Sequence, residues 1–202
     1  MKIGIMGAHG TGKTTYAYRL AYNMKKDSEK DVYVISGVAR KCPYPIHAER
    51  QRWIFHTQIL LEIEAMEYHN IVICDRTLLD NLAYAKRTGF SFLVDAYLPI
   101  AIDWMKTYDK IIFLRPSRPL VDDGIRDTNP DFQRDIDSIL NGWVQEYSIQ
   151  NVQFEDPIDD SKWISGIFVP YDNCIYGFPY GSAKALKIDL SDASYTQNKR
   201  RK

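Results

Sequence analysis

The feature that most constrains this chain is a glycine-rich run close to its N-terminus. Residues 7–14 read GAHGTGKT, which fits the pattern G-x-x-x-x-G-K-[ST]. The run follows a short apolar segment, KIGIM, and precedes a stretch whose apolar residues recur at helical spacing. A strand, a glycine turn and a helix in this order surround a polyphosphate with backbone N–H groups and a helix N-terminus. The sequence therefore predicts an α/β domain that binds a nucleotide.

The pattern gives the residues of this predicted phosphate loop separate roles. The glycines let backbone N–H groups turn inward, Lys13 is placed to reach the β- and γ-phosphates, and the Thr14 hydroxyl is placed to bind Mg²⁺. His9 occupies a variable position, and we do not expect it to act as a base. We expect Lys13 to be exposed at the loop mouth. The residues expected to contact ATP are Gly7, His9, Gly10, Thr11, Gly12, Lys13, Thr14 and Thr15.

Short apolar segments alternate with longer helical ones over the first 155 residues. Strands are predicted at 2–6, 31–35, 70–74, 110–114 and 151–154, and helices at 11–26, 47–69, 78–86, 92–107 and 131–149. Apolar strands separated by helices are typical of a parallel sheet covered on both faces. Pro99 is expected to interrupt the helix over 92–107. Side chains after the strand ends then meet at one edge of the sheet, where open α/β sheets bind ligands.

Asp75 and Arg76 come directly after the third predicted strand. A phosphate loop works with a carboxylate on a neighbouring strand that orients Mg²⁺ or its waters, so we assign Asp75 and Thr14 to the metal. Arg76 is suited to hold an anionic acceptor or the transferred phosphoryl group. The alternatives are a solvated aspartate at the end of a strand and an exposed structural arginine.

A polar segment, residues 115–130, follows the fourth predicted strand and carries three arginines among aspartates and prolines. In nucleotide kinases a mobile lid carries arginines that stabilise charge during phosphoryl transfer. We therefore assign Arg115 and Arg126 as lid or phosphate residues with a catalytic role, beside Lys13, Asp75 and Arg76. A solvated charged loop is the alternative.

Three segments together resemble P-loop nucleoside and nucleotide kinases: GAHGTGKTT, ICDRTLLDNLAY and YDKIIFLRPSRPLVDDGIRDTNPDFQ. The chain is similar, over roughly residues 1–155, to the AAA-like ATPase/kinase family that includes the kinase domain of ribosylnicotinamide kinases. Thymidylate-kinase-type enzymes have a similar Asp-Arg unit. The resemblance implies an α/β fold of the P-loop NTPase kind, a three-layer sandwich with a five-stranded parallel sheet and an arginine-bearing lid. It also implies Mg-ATP as donor and an acceptor near Arg40, Arg76 and Asp80.

The segment after the second predicted strand departs from the family pattern. Many relatives carry a glutamate shortly before the arginine at the position of Arg40, whereas this chain has Ser36 and Gly37 there. A nucleoside acceptor needs a base or polar group for its hydroxyl, but a monophosphate already carries an anionic nucleophile. The departure favours a nucleotide or another acceptor over a simple nucleoside. Our leading hypothesis is a kinase of a small-molecule nucleotide-like acceptor, a deoxynucleoside monophosphate. Two alternatives stay open: a kinase of a hydroxymethylated pyrimidine in DNA, and an ATP- or GTP-binding regulatory switch.

Composition limits the expected partners and location. Lys+Arg and Asp+Glu both number 26, so the chain has no global positive field and nucleic acid is not a favoured partner. The apolar run in MKIGIMGAHG is too short for a signal peptide, and no segment reaches membrane-spanning length. Three widely spaced cysteines fit free thiols in a reducing compartment. We expect a cytoplasmic protein without a membrane partner, and a homodimer remains open.

The periodic pattern fades toward the C-terminus. We predict a P-loop kinase domain over 1–168, with a lid at about 115–130, and a C-terminal extension over 169–202. A short helix is predicted at 159–167. The extension is rich in tyrosine, glycine and proline, which is compatible with packing on the domain or with a small β appendage. The final NKRRK is expected to be disordered.

Overall fold

The computed structural model describes residues 1–26, 29–45, 47–117, 120 and 129–155, and the backbone of three further strands between residues 164 and 189. The chain divides into two compact units, Met1–Pro157 and Ile158–Lys202. In the described part of the chain no helix is both long enough and apolar enough to cross a membrane.

The first unit contains five strands and six helices among its described residues. The strands are β1 (Lys2–Met6), β2 (Val32–Ile35), β3 (Ile71–Asp75), β4 (Lys110–Leu114) and β5 (Val152–Glu155). The helices are α1 (Lys13–Lys26), α2 (Val38–Lys41), α3 (Ala48–Tyr68), α4 (Leu78–Arg87), α5 (Ser91–Met105) and α6 (Pro130–Glu146). The predicted strands and helices of this unit are confirmed, with ends that differ by at most three residues, and α2 was not predicted.

The five strands form one parallel sheet in the order β2-β3-β1-β4-β5. The three central strands are almost wholly buried, whereas the edge strands β2 and β5 are partly exposed. That difference explains why the central strands read as continuous apolar runs and β5 as a weaker one. The predicted five-stranded parallel sheet is confirmed, and its order places β1 between β3 and β4.

Apolar cores lie on both faces of this sheet. On one face, Ala17 and Ala21 of α1 pack against Ile3 and Ile5 of β1. On the other face, helices α3 to α6 cover Val72, Cys74 and Phe113, among other residues. Two small residues on α1 allow that helix to lie close to the strands.

The helical face of the core also holds a buried carboxylate, Glu62 of α3, which has no exposed surface. Its Oε2 accepts hydrogen bonds from Lys2 Nζ at 3.0 Å and Trp104 Nε1 at 2.8 Å. Its Oε1 accepts from Gln58 Nε2 and the Tyr108 hydroxyl, both at 2.7 Å. The Lys2 ammonium also lies over the rings of Trp104 and Tyr108, at 4.6 and 4.3 Å from their centroids. Each oxygen of the Glu62 carboxylate therefore accepts two hydrogen bonds from side chains of the core.

Two sequence predictions about helices were wrong. α5 continues through Pro99 because this residue and Asp95, one turn before it, are on the exposed side, where water can solvate the unpaired carbonyl. The helix predicted at 159–167 is contradicted where the structure describes it, because a strand begins at Ile164. Its β-branched residues favour an extended chain. Residues 159–163 lie outside the described residues.

The second unit contains a three-stranded antiparallel sheet in the order β6-β7-β8. Its strands are β6 (Ile164–Val169), β7 (Cys174–Phe178) and β8 (Leu186–Asp189). The unit begins after Pro157, whereas the predicted boundary at residue 168 would cut β6. The final NKRRK and most of the predicted lid, including Arg118 and Arg126, lie outside the described residues.

Candidate active site

The phosphate loop joins β1 to α1 at the carboxyl edge of the sheet, as the motif predicts. Gly7 has φ +148°, and a Cβ at this position would lie well under 3.0 Å from the Leu114 carbonyl oxygen of the neighbouring strand. Gly12 has φ +80°, and a Cβ there would meet nothing within 4 Å. Gly7 is therefore required by close packing on β4, whereas Gly12 is required by backbone conformation alone.

Lys13, the first residue of α1, is only 5% exposed. Its ammonium donates hydrogen bonds to the Ala8 carbonyl and, at 3.4 Å, to the Thr11 hydroxyl. The expectation that Lys13 is exposed at the loop mouth was wrong, because the side chain turns toward oxygen atoms of its own loop. The residue still lines the cavity beside that loop.

Asp75, the last residue of β3, binds two hydroxyl groups at the sheet edge. Its Oδ2 accepts hydrogen bonds from Thr14 Oγ1 and Ser36 Oγ, both at 2.7 Å. Parallel pairing of β3 with β1 and β2 brings these three residues together, since Thr14 follows the loop after β1 and Ser36 directly follows β2. The predicted Asp75–Thr14 pair therefore exists. Ser36 also bonds to Asp75. In the sequence analysis this residue was noted only because many relatives carry a glutamate near its position.

Asp80 lies under the phosphate loop and has no exposed surface. Its Oδ1 accepts a hydrogen bond from the Gly7 backbone N–H at 2.9 Å, and its Oδ2 accepts from the backbone and hydroxyl of Thr77 at 2.7 and 2.9 Å. Burial raises the pKa of this carboxyl, although Lys13 and Arg76 oppose the shift. Asp80 therefore fixes the phosphate loop through the Gly7 N–H. It was expected near the acceptor, but it is not among the residues that line the cavity. The sequence Thr-Leu-Leu-Asp forms a capping box at the start of α4, so a structural role for Asp80 could have been recognised from the sequence.

Arg76 lines the cavity with its backbone in an unusual conformation. Its φ of +119° turns the chain sharply between β3 and α4, and its guanidinium lies 5.1 Å from the centroid of the Tyr84 ring. Burial lowers the pKa of this guanidinium, but the oxygens of Tyr84, Asp80 and Asp75 outweigh that effect and raise it above its usual value. Arg76 is therefore a held, permanent cation at the cavity wall, as its predicted role requires.

Arg115 is paired with a carboxylate of α6. Its Nε lies 2.8 Å from both carboxylate oxygens of Asp137 on α6, and its Nη2 lies 2.5 Å from one of them. The described residues that line the cavity do not include Arg115. The structure thus shows this arginine joining β4 to α6, and its predicted contact with phosphate stays a prediction.

A cavity of about 480 Å³ extends from the phosphate loop toward α2 and α3. It brings together most predicted site residues: His9, Gly10, Gly12, Lys13, Thr14, Thr15, Arg40, Asp75 and Arg76. The sequence analysis missed further lining residues, namely Ser36, Arg50, Gln51, Asn81, Tyr84 and Phe132. Asn81 and Tyr84 belong to the segment ICDRTLLDNLAY, where polar groups on one helix face were a usable signal. Nothing in the sequence singled out Arg50, Gln51 or Phe132.

The far part of the cavity carries a pair of buried amides. Asn81 Nδ2 of α4 donates a hydrogen bond to Gln51 Oε1 of α3 at 2.7 Å. The Asn81 Oδ1 atom is buried and has no hydrogen-bond partner within the described structure. A buried acceptor without a partner is costly, so this atom is suited to receive a hydrogen bond from a bound molecule.

The oxygen groups at the loop fit magnesium better than they fit a transition metal. Within the described residues, no three His, Cys, Asp or Glu side chains come together as a ready-made metal site. The Thr14 hydroxyl and the Asp75 carboxylate supply hard oxygen atoms, 2.7 Å apart, beside the loop. Mg²⁺ is typically held by one or two such groups together with substrate phosphates and waters. The residues present therefore fit Mg²⁺ bound with a nucleotide.

A model of the family described as AAA domain matches residues 2–159. The chain belongs to the AAA domain family. No curated protein matches the sequence at the significance required. The predicted membership of an AAA-like P-loop family is thus confirmed from sequence.

Solved structures share the fold of this AAA domain protein. Deoxyadenosine kinase from M. mycoides with bound dATP is 17% identical, with a TM-score of 0.58 and coverage of 80% of this chain and 94% of that chain. The same enzyme with dCMP and dCDP bound gives 17% identity, a TM-score of 0.51 and coverage of 80% and 93%. Thymidylate kinase from Ehrlichia chaffeensis is 16% identical, with a TM-score of 0.55 and coverage of 82% and 91%. These matches confirm the predicted P-loop kinase fold.

Proposed function

We propose that this protein is an ATP-dependent kinase that transfers the γ-phosphoryl group to a nucleotide-like acceptor, a deoxynucleoside monophosphate. The observation that carries the proposal is the charge of the cavity beside the phosphate loop. Among the described residues lining it, Lys13, Arg40, Arg50 and Arg76 face a single acidic side chain, Asp75. Four cations against one carboxylate suit two phosphate-bearing ligands better than one.

The donor end of the cavity is the loop with Lys13, Thr14 and Asp75. In the reaction we propose, loop N–H groups and the Lys13 ammonium hold the β- and γ-phosphates of ATP, and Lys13 exchanges its Ala8 contact for phosphate oxygens. Mg²⁺, when bound, would neutralise phosphate charge, with Thr14 and Asp75 as its protein partners. The family membership and the fold of the solved kinases support this assignment.

The acceptor end is formed by α2, the start of α3 and α4. Arg40 is exposed at this end, and Arg50 is fixed by hydrogen bonds from its guanidinium to the Ala39 and Tyr44 carbonyls at 2.8 and 2.9 Å. Arginine pairs well with phosphate oxygens. The amides of Gln51 and Asn81 are available to a nucleobase edge, which would give the unpartnered Asn81 Oδ1 a donor.

The described cavity walls offer no second carboxylate to serve as a base for a neutral hydroxyl. A monophosphate acceptor does not need one, because its own phosphate oxygen is the nucleophile. That oxygen forms the new bond to the γ-phosphorus as the bond to the bridging oxygen of ADP breaks. In this proposal Arg76, whose guanidinium lies over the Tyr84 ring, would neutralise charge between the two phosphates.

The test is a transfer assay with γ-labelled ATP, Mg²⁺ and a panel of acceptors, separated by thin-layer chromatography. The panel contains deoxynucleoside and ribonucleoside monophosphates, nucleosides including ribosylnicotinamide, and DNA with hydroxymethylated pyrimidines. We expect label in a deoxynucleoside diphosphate. Label only in a nucleoside monophosphate would mean that the acceptor is a nucleoside, and label only in DNA would mean that the acceptor is DNA. Label that moves only to inorganic phosphate would contradict kinase activity.

Arg40 gives this assay a matched pair of variants. Arg40→Ala should raise the KM for a monophosphate acceptor by about tenfold, since it removes one charge-assisted contact, with little change in the KM for ATP. Arg134→Ala is the control, because this exposed arginine of α6 pairs with Asp131 and does not line the cavity. Equal rises in KM for both substrates would argue against an acceptor contact.

A further inference from the structure

The phosphate loop is bound from outside by a side chain of α6. Gln133, in the first turn of that helix, is only 5% exposed and donates a hydrogen bond from Nε2 to the His9 carbonyl at 2.7 Å. A carbonyl oxygen only accepts, so the amide nitrogen of Gln133 must be the atom that faces it. The two residues are 124 positions apart in the chain, so this contact comes from the fold and not from the loop motif.

The ring of His9 is fixed as well. Its Nδ1 lies 3.1 Å from the Tyr84 hydroxyl, and its centroid lies 6.1 Å from that of the Tyr84 ring and 5.6 Å from that of the Phe132 ring. Tyr84 belongs to α4, and Phe132 is the neighbour of Gln133 on α6. Two helices therefore fix the residue that the motif G-x-x-x-x-G-K-[ST] leaves variable.

The planarity of the peptide bond extends this constraint to the next backbone N–H. The His9 carbonyl and the Gly10 N–H belong to one planar peptide group, in which C=O and N–H point in opposite directions. Because the oxygen faces Gln133, the Gly10 N–H points away from that side chain. Gly10 has φ +75° and lines the cavity, and a Cβ at this position would lie 3.2 Å from Gln133 Nε2. Backbone N–H groups turned to one side are what a phosphate loop offers to an anion.

Gln133 and Asp80 act on the loop in complementary ways. The Asp80 carboxylate accepts a hydrogen bond from the Gly7 N–H at 2.9 Å, whereas the Gln133 amide donates one to the His9 carbonyl. The first contact fixes the start of the loop. The second keeps a carbonyl oxygen out of the space beside the loop, where its negative end would repel a phosphate.

We propose that Gln133 is a positioning residue for phosphate binding. It holds the His9–Gly10 peptide with its oxygen outside the loop and its N–H directed to a bound phosphate, and the packed His9 ring completes this anchor. In the proposed function that phosphate belongs to ATP, and the positioning role rests on that assignment. Loss of the Gln133 amide takes a donor from a buried carbonyl, which is costly. Rotation of the peptide toward another donor would then turn the Gly10 N–H away from the phosphate.

The first experiment is calorimetric titration of the full chain with magnesium tripolyphosphate, a probe that needs neither a base nor an acceptor. Gln133→Met keeps the length of the side chain, removes its donor and should raise the Kd by about tenfold. Gln150→Met is the matched control, because the exposed Gln150 amide donates to the Ser148 carbonyl at 2.7 Å and does not line the cavity. Binding by Gln133→Met within about twofold of the native chain would overturn the proposal.

The two proposals fail in different ways in these measurements. Tripolyphosphate binding that needs Gln133, together with no phosphoryl transfer to any acceptor, would contradict the proposed kinase and support the anchor. Phosphoryl transfer together with equal binding by the native chain and Gln133→Met would do the reverse. A native chain that does not bind tripolyphosphate would overturn both.

The second experiment observes the peptide itself by nuclear magnetic resonance. The dipeptide His-Gly occurs once in the sequence, at His9–Gly10. Labelling of histidine carbonyls with ¹³C and of glycine nitrogens with ¹⁵N therefore gives one carbonyl-correlated amide signal. We expect tripolyphosphate to move this Gly10 proton downfield in the native chain, through a hydrogen bond to an anionic oxygen, and to move it less in Gln133→Met. Equal movement in both chains would refute the role of Gln133, even if its loss lowered the melting midpoint.

His9→Ala tests whether the ring and the amide act on the same peptide. It should weaken tripolyphosphate binding by about as much as Gln133→Met does. The combined variant should be at most about threefold weaker than either single variant, since a peptide released by one change has little more to lose. Losses that multiply to about a hundredfold would mean that the two contacts act separately, and would refute the shared anchor.

Discussion

Two buried regions of this protein are each organised by a carboxylate. They differ in how much of the carboxylate's capacity to accept hydrogen bonds is used by the fold. Glu62 accepts four hydrogen bonds from side chains of the core, two on each oxygen. Asp75 accepts two, both on Oδ2, from the Thr14 and Ser36 hydroxyl groups that adjoin the cavity. The first carboxylate is saturated by its surroundings, whereas the second lies beside a space that fits a ligand.

This difference separates a structural charge from a functional one. A saturated buried ion pair contributes mainly by avoiding the penalty of an unpaired charge. A carboxylate at the rim of a cavity, bonded to rotatable hydroxyls, can exchange those partners for a metal ion or its waters. Burial alone does not distinguish the two, since both residues are less than a tenth exposed.

The largest effect is expected at the loop itself. Lys13→Ala should lower phosphoryl transfer at least 1000-fold, an effect on the order of 4 kcal/mol, because it removes the cation placed for the β- and γ-phosphates. The thermal unfolding midpoint should change little. Turnover is measured with the acceptor that the transfer assay identifies, beside a melting curve. Turnover within threefold of the native chain would refute the assignment of the phosphate loop.

Glu62 should show the opposite pattern. Glu62→Leu leaves the Lys2 ammonium buried without its carboxylate and should cost about 3–5 kcal/mol of unfolding free energy. Urea unfolding measures this loss, and turnover of the folded fraction should stay within about threefold. Lys2→Met/Glu62→Leu is the matched control, since removal of both charges should recover the part of the loss that comes from the unpaired Lys2 ammonium, while Gln58, Trp104 and Tyr108 still lack their acceptor. A large fall in turnover by that folded double variant would mean that the network serves the site.

Asp75 should affect the rate with little change in stability. Asp75→Asn should lower kcat at least 100-fold, an effect on the order of 3 kcal/mol, because the Mg²⁺ that we propose at this site would lose its charged partner. Raised Mg²⁺ or added Mn²⁺ should recover part of the loss. Ser36→Ala, which removes only one hydrogen bond to Asp75, is the control and should cost less than about tenfold. A loss that no metal concentration changes, together with a lost limb of the pH–rate profile, would instead make Asp75 a general base.

The same comparison explains what the sequence could predict. Asp75 and the loop were predictable because they follow apolar strands, and parallel strands end at one edge of the sheet. Glu62 was not, because a glutamate within a long helix is usually solvated, and its four partners come from distant segments. Gln51 and Phe132 were missed for the same reason. The side-chain direction of Lys13 was missed because a motif specifies residue types and not the contacts they make.

Arg115 offers the smallest effect and the finest test of the comparison, because it has features of both regions. The Arg115 guanidinium forms an ion pair with Asp137, just as Glu62 forms one with Lys2. Unlike Glu62, however, Arg115 is partly solvated, with 43% of its side chain accessible. Solvent screening therefore limits the pair to about 1 kcal/mol of stability, and Arg115→Ala should lose about that much in a urea titration. Arg115→Lys should lose nearly as much, since lysine cannot reproduce the forked contact. If Arg115 acts only as this tie, kcat for the alanine variant will fall by less than about threefold. A fall beyond tenfold, with stability as stated, would show that the guanidinium leaves Asp137 during turnover and contacts phosphate, as its place after β4 predicted.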